Sequence, residues 1–293
     1  MRKQFVKTIE SILPIDEKLI LLLGDIGVFG FRNSFERYPE RVYNIGILEQ
    51  STIGLAAGLA MTGFIPVVHT IAPFLVERAT EQLKNDFCYQ QLGGNFISVG
   101  ASYDYAALGC THHCPADVSI LKNIPNMEII LPGTAAEFDS LFKASYANGH
   151  PTYFRLSEQS NLKSQKVKFG KANVIKKGKL ATLIAVGPTL DKILEASRNL
   201  DVTILYYTTL APFDSVTLKK NCSSNKILLC EPYYTGALSA DIINSLSPRS
   251  VRIEFAGLPH VFFTNYGTAK QQDEAAKFTA KDINKKIIKL ING

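Results

Sequence analysis

Glu49 is a carboxylate in an awkward place. It follows an apolar segment and opens a run of small and apolar residues, Ile53 to Ala60, with Gly54, Ala57 and Gly58 among them. Small residues at that density predict a helix packed almost backbone to backbone. A lone charge entering such a place is costly to bury, so Glu49 needs either a chemical partner or the amide donors of a helix N-terminus. A second cluster, "CTHHC" at 110–114, places Cys110, His112, His113 and Cys114 within five residues. Those are soft metal ligands, but structural zinc sites draw on two separated knuckles and no second pair stands nearby. No metal ligands are assigned from it. "GDIGVFG" at 24–30 has neither the G-x-G-x-x-G register nor a phosphate-binding lysine, and reads as a tight turn. No G-x-S-x-G elbow is present, and spacing alone pairs no cysteine with a histidine.

The elements that must carry these residues alternate. "KLILLLGD", "RVYNIGI", "IPVVHT", "NFISVGAS" and "MEIILPG" read as buried strands, and helical patterns cover 50–62, 74–90 and 134–148. Several strands end in Gly, Asp or Thr, at the carboxyl edge where parallel sheets build their sites. The alternation predicts a doubly wound parallel sheet over residues 1–160. A polar, lysine-rich linker leading into a hairpin follows. Residues 161–293 then predict a second, smaller α/β domain from "LATLIAVG", "VTILYY", "KILLCEP" and "SVRIEFAG", each with its helix.

Composition removes several function classes. The chain has 293 residues, 46% hydrophobic and 20% charged, as expected of a soluble globular protein. No apolar run reaches the roughly 18 residues of a membrane span. The net charge of +6 gathers in two local runs, at 161–179 and 281–289, without the aromatic platform or finger spacing of a nucleic-acid binder. Five cysteines without framework spacing, and an N-terminus unlike a secretory signal, point to a reducing cytoplasm.

One ordered series remains. "GILEQ" is followed by "HTIAPFLVERATEQLKND" and then by the histidine loop "ALGCTHHCPADV"; "CEPYYTGALSADI" and "GLPHVFFTNYGT" come later. In order and wording this resembles the transketolase family of thiamine diphosphate enzymes, from the pyrimidine-binding domain through the C-terminal domain. The resemblance implies that Glu49 hydrogen-bonds the pyrimidine N1′ of thiamine diphosphate and promotes its imino tautomer, with a raised carboxyl pKa. It implies that Phe74 stacks on that ring, with Ile71 where relatives often carry a further Phe. His112, matching the family's T-H pair, would reach the reacting oxygens of the substrate, with His113 as a second contact.

The departures carry expectations too. Leu108 stands where the family has an acid. Glu158 in "LSEQ" stands where an arginine clamps the substrate phosphate, and the family's upstream phosphate histidine aligns near Gly100. These positions predict a substrate without the usual terminal phosphate, unless Arg155 or a partner supplies the cation. The G-D-G motif and asparagine that hold Mg²⁺ and the diphosphate are absent, which implies a split enzyme: a second polypeptide carrying the diphosphate domain, in an α2β2 assembly. The implied activity is transfer of a two-carbon ketol unit from a ketose to an aldehyde. The alternatives are the beta subunit of a 2-oxoacid decarboxylase or dehydrogenase, and a non-catalytic partner subunit.

Overall fold

The computed structural model describes residues 1–293. The first half builds β1 (Leu19–Leu23), β2 (Val42–Asn44), β3 (Ile65–Ile71), β4 (Gly94–Val99), β5 (Glu128–Ile130) and β6 (Pro151–Arg155). Helices α1 (Arg2–Ile12), α2 (Arg32–Arg37), α3 (Glu49–Met61), α4 (Ala72–Val76), α5 (Thr80–Gln82), α6 (Asp117–Lys122) and α7 (Ala135–Ser145) lie between and around them. The second half adds β7 (Asn173–Lys176), β8 (Thr182–Val186), β9 (Thr203–Tyr207), β10 (Thr209–Ala211), β11 (Lys226–Tyr234) and β12 (Arg252–Leu258). Its helices are α8 (Leu190–Ala196), α9 (Ser215–Asn221), α10 (Ser239–Leu246), α11 (Ala269–Ala275) and α12 (Ala280–Asn292).

Two mainly parallel sheets result, with strand orders β10-β5-β6-β4-β3-β1-β2 and β12-β11-β8-β9-β7. The apolar runs explain the central strands: all five residues of β1 are buried, as a strand covered by helices on both faces requires. Packed side chains run from one sheet to the other, from Phe5, Leu21, Phe138 and Phe154 to Leu183, Ile204 and Ile283. The doubly wound fold with a second, smaller α/β sheet is therefore the one the alternation predicts.

Four details differ. The linker does not lead into a hairpin: β7 pairs antiparallel with β9, and β8 lies on β9's other side. Two strands were not anticipated. In β6 the polar Thr152 and Arg155 interrupt the apolar run, and they are buried only because Glu128 and Asp117 receive them. The short β10 leaves the second half to pair antiparallel with β5 in the first sheet. The expected helix 74–90 is also broken, into α4, α5 and a π-helical stretch from Leu83 to Tyr89. Thr80 Oγ1 bonds back to the Val76 carbonyl, a contact that bends helices.

The fourth difference concerns α3. Ala57 is buried, yet Gly54 and Gly58 lie on the exposed face, and a Cβ added at Gly58 would meet nothing within 4 Å. The tight packing expected of those glycines does not occur within this chain.

Candidate active site

Glu49 is the first residue of α3, just after β2, while Phe74 sits in α4 immediately after β3. The histidine loop follows β4, with Cys110–His112 forming one 3₁₀ turn, and Arg155 ends β6. All four positions thus fall at the carboxyl ends of parallel strands, where such sheets gather their functional groups.

Glu49 is 3% exposed. The backbone amides of α3 do not hold its carboxylate. Instead Arg78 Nη1 donates to Oε2 at 2.6 Å, and Oε1 is buried without a partner. The Arg78 guanidinium lies over Phe74, with Cζ 4.3 Å from the ring centroid. His112 meets the same ring edge-on at 5.5 Å and approaches Tyr105 at 6.5 Å. Thr111 Oγ1 and His112 Nδ1 lie 3.0 Å apart, which orients the imidazole. Glu49, Phe74 and His112, far apart in sequence, are therefore brought together, with Arg78 between the first two. Ile71, part-buried, closes β3 and stands beside Gly100, whose added Cβ would lie 3.0 Å from Ile71 Cγ2.

His113 has different neighbours. It is buried, both ring nitrogens lack partners, and it lines a pocket of about 220 Å³ with Glu77, Cys110, Tyr234 and Phe263. Burial lowers its pKa. Cys114 points its thiol at Glu77 Oε1, 3.5 Å away, and burial raises the pKa of both groups. Nowhere in the chain do three or more His, Cys, Asp or Glu side chains converge as metal ligands.

Arg155 cannot serve as the phosphate cation. It is 2% exposed, its Nε donates to Asp117 Oδ2 at 2.6 Å, and its Nη2 donates to Ser102 Oγ at 2.7 Å. Its charge is consumed inside the fold. At the other positions that depart from the family pattern, Leu108 and Glu158 are exposed, and the Tyr105 ring covers Gly100, whose added Cβ would lie 2.6 Å from it. A narrow pocket of about 70 Å³ there is lined by Arg2, Gly100, Tyr105, Ser157 and Glu158. Beneath it Asp104 accepts from the Glu158 amide at 2.9 Å and from Ser157 Oγ at 3.2 Å, and burial raises its pKa to about 7. The largest cavity, about 1150 Å³, opens between α1 and the "GDIGVFG" turn, and neither Glu49 nor His112 lines it.

Three residues were missed in the sequence: Arg78, Arg2 and Asp104. Arg78 carries the only usable signal, standing one turn after Phe74, but its partner lies 29 positions away.

The chain is thus a two-domain α/β protein with a buried glutamate at a helix start, joined through Arg78 to an aromatic ring that a histidine loop also meets. Residues 1–163 match the family model described as transketolase, pyrimidine binding domain, and residues 170–283 match transketolase, C-terminal domain. The chain belongs to the transketolase family, whose cofactor is thiamine diphosphate. It is 36% identical over 97% of its length to an uncharacterized 33.6 kDa protein in the fasciation locus of Rhodococcoides fascians, covering 92% of that protein. Two proteins named as one of the subunits of an apulose-4-phosphate transketolase are also similar. That of Actinobacillus succinogenes is 31% identical over 62% of either chain. That of Phocaeicola vulgatus is 28% identical over 92% of this chain and 94% of its own. Among solved structures, a split gene transketolase described as an inactive beta4 tetramer superposes with a TM-score of 0.87, at 26% identity, over 99% of this chain and 97% of that one.

Proposed function

We propose that this chain is the pyrimidine-binding subunit of a split transketolase, moving a two-carbon ketol unit from a ketose to an aldehyde once joined to a second subunit. That partner carries the diphosphate and Mg²⁺ ligands, in an α2β2 assembly, within a reducing cytoplasm where five unpaired thiols persist. The observation that carries this reading is the Glu49 carboxyl, buried at the start of α3 with Oε1 unpartnered, next to an aromatic ring that is only part-buried. Those groups fit an aminopyrimidine, which needs a carboxylate at one ring nitrogen and a flat apolar surface beneath.

When bound, thiamine diphosphate supplies the nucleophilic carbon that carries the two-carbon unit. Glu49 holds the proton shared with N1′, in a site dry enough to keep it between the two atoms. Phe74, with Ile71 beside it, provides the stacking surface. His112, oriented by Thr111, donates to the substrate oxygen as negative charge builds on it. His113 is a substrate contact only for a group that enters its own pocket. The names of the Actinobacillus and Phocaeicola relatives specify a sugar phosphate, whereas this chain carries Glu158 at the clamp arginine's position and Gly100 near that of the phosphate histidine. We therefore assign it a substrate without the usual terminal phosphate.

In the reconstituted complex, Glu49→Gln is expected to slow hydrogen–deuterium exchange at the cofactor's thiazolium carbon by about 10²-fold or more. Exchange at the wild-type rate would remove Glu49 from the chemistry. The lone chain is expected to show no Mg²⁺-dependent binding of thiamine diphosphate at micromolar concentrations, and calorimetric detection of such binding would contradict the split site. Release of CO₂ from a 2-oxoacid by the complex would favour the alternative, a 2-oxoacid decarboxylase or dehydrogenase.

A further inference from the structure

Arg78 already engages the two groups that the proposed function assigns to the cofactor's ring. Its Nη1 donates to Glu49 Oε2 at 2.6 Å, and its Cζ lies 4.3 Å from the Phe74 centroid. A guanidinium is flat and delocalised, with N–H donors in its plane, and it stacks on aromatic faces. An aminopyrimidine offers a similar combination: a flat face for an aromatic ring and an edge that hydrogen-bonds a carboxylate. The Arg78 side chain is 41% exposed and that of Glu49 only 3%, so the guanidinium reaches in from the surface and covers a buried charge.

We propose that Arg78 takes the pyrimidine's place on Glu49 and Phe74 in the cofactor-free chain and swings away when the ring binds. This rests on the assignment of Glu49 and Phe74 to that ring. The reason for such a device is electrostatic, because a buried carboxylate left without a partner is strongly destabilising. Arg78 balances Glu49 until the ring replaces it, and the cofactor must therefore compete with an internal cation. The released side chain, already 41% exposed, has solvent to enter. In the opposite arrangement Arg78 stays as a support for Glu49, while the ring uses Oε1 and the other face of Phe74. The two arrangements differ in sign.

The test uses the chain assembled with its diphosphate-binding partner and titrated calorimetrically with thiamine diphosphate and Mg²⁺. Arg78→Gln removes the competitor and is expected to tighten binding about 3- to 30-fold. Arg78→Lys keeps the charge without the plane and is expected to fall between Arg78→Gln and wild type. In ¹⁵N-arginine spectra of the wild-type complex, cofactor saturation is expected to shift the Arg78 Nε resonance towards its position in the Glu49→Gln variant. Weaker or unchanged binding by both Arg78 variants, with an Arg78 resonance that does not move, would overturn the inference and leave the function standing. Failure of the wild-type complex to bind the cofactor would overturn both.

Discussion

Arg155 Nε donates to Asp117 Oδ2 at 2.6 Å, with the arginine side chain 1% and the aspartate side chain 0% exposed. The pair joins the end of β6 to the start of α6, directly after the loop that carries His112. Tyr153 donates to the same Oδ2 at 2.8 Å, and Ser102 accepts from the guanidinium. A charge held this way is spent on partners inside the fold, out of reach of solvent.

Arg155→Met is therefore expected to cost about 3–5 kcal/mol of folding stability in urea, because it strands the buried Asp117 carboxylate. Adding Asp117→Leu should recover much of the loss, since removing both charges removes the desolvation penalty. A variant of unchanged stability but raised KM would instead return Arg155 to the substrate site.

The exposed face of α3 makes a separate prediction about assembly. Leu48 is 57% exposed, Leu55 46% and Met61 67%, around Gly58, which has open space above it. Gly58→Leu should leave the lone chain as stable as wild type or up to about 1 kcal/mol more stable, because a mid-helix glycine is unfavourable. The same change should weaken association with the partner at least tenfold by ultracentrifugation. Undiminished association would mean that the partner docks elsewhere.

Two buried groups give opposite pH slopes. Burial raises the Asp104 pKa from 3.8 to about 7, so the folded chain binds the proton that the unfolded chain has released. Stability from this group is full below about pH 4 and is lost as pH rises towards 7, by up to about 1.4 kcal/mol per pH unit. His69, fully buried with Nε2 unpartnered, is lowered from 6.5 to about 4, mainly by burial. Its neutral form stabilises the fold above pH 6.5, and that contribution is lost as pH falls towards 4. Urea titrations of Asp104→Asn should therefore lack the first slope and those of His69→Gln the second. Parallel profiles for wild type and both variants would refute these assignments.

Substrate choice follows from the clamp positions. With Arg155 committed to Asp117, Arg2 is a side-chain cation still free to line the narrow pocket, which it shares with the Glu158 carboxylate. A charge-assisted hydrogen bond contributes about 1.5–3 kcal/mol, so two lost contacts cost roughly 10²- to 10⁴-fold in specificity. The reconstituted complex is expected to favour unphosphorylated ketoses over xylulose 5-phosphate in kcat/KM. A strong preference for the phosphate ester, abolished by Arg2→Ala, would place the clamp at Arg2 instead.

The fold class and most of the central strands were legible in the residues alone, whereas Phe74 and His112 were expected beside Glu49 only because the ordered series resembles the transketolase family. Alternating apolar strands and helical patterns are local properties, and side-chain periodicity reports directly which faces must be buried. Carboxyl ends of parallel strands are also predictable once the strands are found, and the structure puts Glu49, Phe74 and the His112 loop after β2, β3 and β4 on that edge. The charge pairs were not legible. Arg78 reaches Glu49 across 29 positions and Arg155 reaches Asp117 across 38. The short β10 becomes a strand only because β5 offers it an edge. The glycines of α3 illustrate the same limit: their small size predicts close packing, but whether this chain or a neighbour does the packing depends on which face the sheet leaves uncovered. Pairing of buried charge is set by strand register and by where loops fold back, and those are properties of the assembled sheet rather than of any local run of residues.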